Sequence, residues 1–119
     1  MNILIADDEL RLRKVVAMFL RKSGHDVTEA VSGEQALELL KEKRPDLIVL
    51  DVRMANMSGI EATEAIKQDP DFADIPVILL TANVTFEERE HGMKAGAAAY
   101  ITKPFSPKDL LEKINELVP

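Results

Sequence analysis

The chain has no cysteine and no tryptophan, one tyrosine and four phenylalanines among its 119 residues. Without cysteine there can be no disulfide, thiolate zinc site or cysteine nucleophile. With aromatics at 4% and a hydrophobic fraction of 46%, the core must come mainly from Leu, Ile, Val, Ala and Met. Positive charge is also short: 15 basic against 21 acidic residues leave a net charge of −6. That excludes a generally basic surface of the kind that neutralises nucleic-acid phosphates, and no direct nucleic-acid binding is expected. No apolar run approaches the ~20 residues that span a bilayer, so no membrane association is expected either. The first residues run from apolar to acidic without a basic lead and do not read as a signal peptide. A reducing cytoplasm is the expected location. The length suits one domain over residues 1–119 and is too short for two.

Short apolar runs alternate with longer stretches of helical periodicity. Runs rich in Ile, Val and Leu, with no polar alternation, suit strands buried on both faces. They fall at about 2–6, 47–50, 76–81 and 99–102. A weaker strand, Asp26-Val27-Thr28-Glu29-Ala30, is polar enough for a sheet edge. Between them the spacing predicts helices over about 10–23, from Ser32 to before Pro45, 59–68, 85–95 and from Ser106 to Pro119. Gly24 and Gly96 stand where helices should end, and Asp69-Pro70-Asp71 breaks the third. Ser32–Gln35 and Thr85–Glu88 have capping-box spacing, and Ser106-Pro107-Lys108-Asp109 reads as N-cap, N1 proline and N3 acid. The expected fold is α/β: a (βα)₅ doubly wound, parallel five-stranded sheet, flavodoxin-like, with strand order 2-1-3-4-5. The polar second strand favours that order, which puts the crevice for ligands between strands one and three.

Chemistry collects where the apolar runs stop. Asp7, Asp8 and Glu9 follow the first, Asp51 follows the third, Thr81 ends the fourth, and Lys103-Pro104 follows the fifth. In a parallel sheet these residues meet at one edge. Clustered carboxylates repel one another and are worth keeping together when a divalent cation and a phosphoryl group join them. A strand-end carboxylate can act as nucleophile toward phosphorus and form an acyl phosphate. Asp8 and Asp51 can supply oxygen ligands to a hard cation, Lys103 a point charge for phosphoryl oxygens, and Thr81 a hydroxyl donor.

The set Asp7-Asp8, Asp51, Thr81 and Lys103-Pro104 resembles the CheY-like receiver domain of two-component response regulators. So do the segments Asp51 to Met54 with Ser58-Gly59, Leu80 to Ala82, Ala95 to Ala97 and Tyr100 to Phe105, in the family's order over the whole chain. The resemblance implies that Asp51 accepts a phosphoryl group from a phosphohistidine on a sensor histidine kinase or histidine phosphotransfer protein. It implies Mg²⁺ (or Mn²⁺) held by Asp8, Asp51 and the backbone carbonyl of Arg53, with Asp7 holding metal-bound water. Lys103 then contacts the phosphoryl group, Thr81 moves toward it, and Tyr100 changes rotamer. The change is reported on the face of the fourth helix, fifth strand and fifth helix, to a downstream effector protein or a fused output domain. The Lys103-Pro104 peptide is expected to be cis. Such a protein is a phosphorylation-dependent switch and not an enzyme beyond its own phosphoryl transfer and autodephosphorylation.

Some positions depart from the family pattern. Ala55 replaces a common proline in the loop after Asp51. Ala98-Ala99 replace two acids that join a dimer interface in one DNA-binding subfamily. Arg53 and Asn83 occupy positions that influence phosphoryl lifetime in the family. Each site residue alone has an ordinary reading: helix-dipole acids, a loop aspartate, a strand-end threonine, a solvated lysine, a turn proline, a wet tyrosine. The joint set in this order favours the functional one. A flavin site of the same fold is disfavoured because Asp7-Asp8-Glu9 would repel the cofactor phosphate. Phosphohydrolase and nuclease sites commonly use Asp-x-Asp, and Asp7-x-Glu9 and Asp51-x-Arg53 fit that poorly. A receiver-shaped interaction module that is never phosphorylated is the remaining alternative. His25, His91 and the basic side chains of the first helix, Arg13 among them, are expected at the solvated surface; Met54 and Met57 are expected to pack.

Overall fold

The computed structural model describes residues 1–82 and 85–119. Its elements are β1 (Asn2–Ala6), α1 (Leu10–Lys22), β2 (Asp26–Ala30), α2 (Gly33–Glu42), β3 (Leu47–Asp51), α3 (Gly59–Gln68), β4 (Val77–Thr81), α4 (Phe86–Ala95), β5 (Ala99–Thr102) and α5 (Pro107–Leu117). The strands form one sheet in the order β2-β1-β3-β4-β5, every pair parallel. The expected fold and strand order are therefore those of the protein, with helix ends shifted by a residue or two. Among the described residues no helix is long and apolar enough to cross a membrane.

Side chains alternate across a strand, so each unbroken apolar run feeds two cores. Leu4, Ala6, Ile48, Leu50, Val77 and Leu79 face α2 and α3, where Leu40, Ile60 and Ile66 meet them. Ile3, Ile5, Leu47, Val49, Ile78 and Leu80 face α1 and α5, where Val16, Leu20, Leu110 and Ile114 meet them. β3 and β4 are buried throughout, which explains their lack of polar alternation.

The helix ends follow local chemistry. After α1, Gly24 at φ 97° donates to the Arg21 carbonyl and His25 to that of Leu20, a Schellman closure. Ser58–Glu61 and Ser106–Asp109 are complete capping boxes, and the first of these went unread in the sequence. The boxes expected at Ser32–Gln35 and Thr85–Glu88 are half-formed. Gln35 donates its N–H to Ser32 Oγ, but its side chain accepts from Val31 N–H, one residue early. Glu88 donates its N–H to Thr85 Oγ1 while its carboxylate turns away, into the site described below.

The polar edge strand is explained by α1. Glu29 on β2 accepts from Arg13 Nε at 3.1 Å and Lys14 Nζ at 3.1 Å, with Arg21 Nη2 at 3.2 Å. Arg13 is only 6% exposed, and its Nη1 donates to the Asp7 carbonyl at 2.8 Å. The expectation of a solvated basic face on this helix therefore fails for Arg13. A buried guanidinium must be paired, and this one braces the loop that carries Asp7 and Asp8. His25 is half-buried, its Nδ1 3.2 Å from the N-terminal amine.

Candidate functional site

Strand register assembles the site. Ala6 pairs with Leu50, Asp51 with Leu80, and Thr81 with Thr102. In this register β1 ends at Ala6, β3 one residue further along at Asp51, and β4 and β5 one further again at Thr81 and Thr102, so the strand ends lie side by side at one edge of the sheet. Asp7 N–H still bonds to Ala30, Val52 N–H to Leu80 and Lys103 N–H to Thr81, at 3.2, 2.8 and 2.7 Å, so the strand exits are fixed. α3 starts hard against β3: a Cβ on Gly59 would lie 2.3 Å from the Asp51 carbonyl oxygen. Asn56, at φ 69°, takes the left-handed turn in the intervening loop, a conformation asparagine tolerates.

Asp51 is buried, with both carboxylate oxygens held. Oδ1 accepts from Arg53 N–H at 3.1 Å, and Oδ2 from Lys103 Nζ at 2.8 Å. Lys103 Nζ also lies 3.7 Å from Asp7 Oδ2. Burial alone would lower the Lys103 pKa; the bond to Asp51 and the charges of Asp51, Asp7 and Glu9 raise it, so the ammonium is secure. The Lys103-Pro104 peptide is cis.

Asp7 is fully buried. Its Oδ1 accepts from Glu9 N–H at 2.9 Å, while Oδ2 makes no hydrogen bond among the described residues. Burial first, and the neighbouring Asp51 carboxylate next, raise its pKa from 3.8 to about 6. Asp7, Asp8 and Asp51 each bring a carboxylate oxygen within 4.8 Å of the others, with Asp8 exposed to solvent. A buried Asp7 oxygen without a hydrogen bond among the described residues, a second buried carboxylate and an open third fit a hard divalent cation.

Thr81 is buried at the end of β4, and its Oγ1 donates to Glu88 Oε1 at 2.7 Å. Glu88 Oε2 lies 3.7 Å from Arg53 Nη2. Tyr100, half-buried on β5, donates its hydroxyl to the Glu88 carbonyl at 2.9 Å. Its ring occupies the place of a missing side chain on α4: a Cβ on Gly92 would lie 2.4 Å from the Tyr100 oxygen. Asp8, Arg53, Met54, Glu87, Glu88 and His91 line an open groove of about 670 Å³ beside the carboxylates. Of the sequence-selected residues, Asp7, Asp8, Asp51 and Lys103 come together directly. Thr81 and Tyr100 connect to them through Glu88 and Arg53. Asn83 lies outside the described residues. Glu88 and Gly92 were missed as site residues, because Glu88 matched a cap and a helical glycine gives no signal by itself.

A family profile described as the response regulator receiver domain matches residues 3–115. The chain belongs to the response regulator receiver family. The Vibrio cholerae chemotaxis protein CheY4 superposes with a TM-score of 0.94 at 30% identity, covering 98% of each chain. The phosphate regulon transcriptional regulatory protein PhoB of Escherichia coli is 40% identical over 98% of this chain and 51% of its own length. A probable transcriptional regulator, ycf27, of Porphyridium aerugineum is 37% identical over 98% of this chain and 48% of its own length. The receiver thus spans about half the length of these curated relatives. The family is that of two-component response regulators, and the cluster of Asp7, Asp8 and Asp51 is one that could hold a metal ion.

Proposed function

We propose that Asp51 is the phosphoacceptor of a switch spanning residues 1–119 as one domain. The observation that carries this is the Asp51 carboxylate, buried and gripped by Lys103 at 2.8 Å, beside a buried Asp7 oxygen that has no hydrogen bond among the described residues. An Asp51 oxygen forms the new P–O bond as the P–N bond of a donor phosphohistidine breaks, its electron pair leaving with the imidazole. The donor is a sensor histidine kinase or a histidine phosphotransfer protein, met in the cytoplasm. Asp8, Asp51 and the backbone carbonyl of Arg53 would hold Mg²⁺ (or Mn²⁺), and Asp7 would orient water at the site. The cation, when bound, neutralises carboxylate and phosphoryl charge. Lys103 then moves its hydrogen bond from Asp51 to a phosphoryl oxygen. Thr81 turns its hydroxyl to another, and Tyr100 changes its position on α4. The altered α4–β5–α5 face acts on an effector protein or a fused output domain.

The test is incubation with acetyl phosphate, with and without Mg²⁺, followed by intact mass of the wild type and Asp51→Ala. A metal-dependent gain of one phosphoryl group, absent in the variant, is expected. Modification that persists in Asp51→Ala would reassign the acceptor. A folded protein that gains nothing would favour the interaction module that is never phosphorylated.

A further inference from the structure

We propose that Glu88 is a latch on the unmodified state, a built-in competitor for the groups that Asp51 phosphorylation would recruit; this rests on Asp51 being the acceptor. Its carboxylate sits on the first turn of α4, where an acid ordinarily serves the helix end. Here that need is met by Thr85, and the carboxylate is instead turned inward, with 16% of the side chain exposed. One oxygen takes the Thr81 hydroxyl at 2.7 Å, and the other lies 3.7 Å from the Arg53 guanidinium. Hydroxyl and guanidinium are the donors that a phosphoryl group on Asp51 can draw in from the α4 side. Glu88 therefore holds the phosphoryl group's partners before the phosphoryl group arrives.

The same residue reaches the reporter. Its main-chain carbonyl accepts from Tyr100, whose ring fills the space above Gly92. A phosphoryl group adds about 1.5 to 2 negative charges and several acceptor oxygens. Both side-chain partners of Glu88 then have a stronger acceptor, and the carboxylate is left facing like charge. Relief comes by moving the first turn of α4 away from the site, and that movement takes the Glu88 carbonyl from Tyr100. Glu88 is thus a positioning residue that joins Thr81 and Tyr100 mechanically.

The full chain is titrated with beryllofluoride, an unreactive phosphoryl analogue, in saturating Mg²⁺. Nuclear magnetic resonance of Tyr100 and of the α4 amides follows the titration. Wild type, Glu88→Gln and Glu88→Ala are compared, with Thr81→Ala and the Thr81→Ala/Glu88→Ala pair as a cycle. Glu88→Gln keeps the size and an acceptor but loses the charge. It should bind the analogue about fivefold more tightly, the lower end of typical coupling between linked sites. Glu88→Ala should bind more tightly still and, without analogue, shift the Tyr100 signals toward those of the loaded wild type. Because the latch acts through Thr81, the gain should shrink in the Thr81→Ala background. Unchanged affinity in both folded Glu88 variants, with wild type still binding, would overturn the latch alone. A wild type that binds no analogue and takes no phosphoryl group would overturn the reading of Asp51 and the latch with it.

Discussion

The two sides of the sheet each carry a glutamate that gathers donors, and they use it differently. On the β2 side, Glu29 accepts from Arg13, Lys14 and Arg21, all supplied by α1. That helix buries Arg13, Val16, Ala17 and Leu20. On the β5 side, Glu88 takes Thr81 and faces Arg53, residues that sit at the proposed phosphorylation site. Its helix α4 fully buries Gly92 alone among the described residues, and Phe86 is 76% exposed. The first arrangement is closed: every partner is structural. The second is borrowed from the site and lies on the most loosely packed helix. Local opening favours regions with few buried apolar contacts, so the fold sets its rigid brace under Asp7 and leaves its movable part beside Thr81 and Tyr100.

The largest expected effect tests the brace. Arg13→Ala removes the buried guanidinium, leaving Glu29 with two exposed partners and the Asp7 carbonyl unpaired. Breaking a buried pair from one side costs about 3–5 kcal/mol. Urea unfolding should show a loss in that range. A loss under about 1 kcal/mol, the scale of a surface pair, would mean that the brace is no stronger than an ordinary surface ion pair.

The next effect separates the two sides by pH. Burial would raise the Glu29 pKa, but its bonds from Lys14 and Arg13 lower it overall from 4.5. Its contribution to stability is therefore present above 4.5 and lost as pH falls through the lower folded value. Asp7 has the opposite sign. Raised from 3.8 to about 6, it favours the fold fully below 3.8, and that stability is lost as pH rises through about 6. Without metal, Asp7→Asn should remove this loss and stabilise the protein at pH 7 by at most about 3 kcal/mol, since one pKa unit is worth about 1.4 kcal/mol. Mg²⁺ should raise the melting temperature of the wild type above pH 6 and that of Asp7→Asn much less. Equal responses to metal would separate Asp7 from the cation site.

How much of this was legible in the sequence divides along the same line. Strand runs, strand order and the meeting of Asp7, Asp8, Asp51 and Lys103 follow from hydrophobic period and parallel topology, which act locally and repeat. Arg13 was misread because a single basic residue on a charged helix gives no sign of facing a carboxylate across a strand. Glu88 was misread because Thr-x-x-Glu is a true cap signal whose second half loses to a tertiary partner, the Thr81 hydroxyl. Tyr100 was read by resemblance, yet its seat depends on the absent side chain of Gly92, visible only when α4 and β5 are packed together.

That seat gives an intermediate effect. Gly92→Ala places a methyl group within 2.8 Å of the Tyr100 hydroxyl oxygen and two of its ring carbons. The ring must leave. Overpacking costs about 1–3 kcal/mol, partly offset by the better helix propensity of alanine, up to about 1 kcal/mol. Net stability should therefore fall by only about 1 kcal/mol, whereas tyrosine fluorescence quenching by iodide should rise. Quenching unchanged from wild type would place Tyr100 clear of α4 in solution and leave Glu88 without its reporter.

The smallest effect is the sharpest for the comparison. Phe86 begins α4 with its ring almost wholly in water, so truncating it removes little buried area. Phe86→Ser should change unfolding free energy by no more than about 0.5 kcal/mol, the usual range for surface sites. Leu20→Ala, from the buried face of α1, should lose about 2–5 kcal/mol. If α4 is the part that moves, Phe86→Ser should also leave hydrogen exchange in β1 and β3 untouched. A loss above about 1.5 kcal/mol, well outside the surface range, would show the Phe86 ring packed against the fold in solution. α4 would then be as anchored as α1, and the contrast between the two sides would fail at its weakest-held residue.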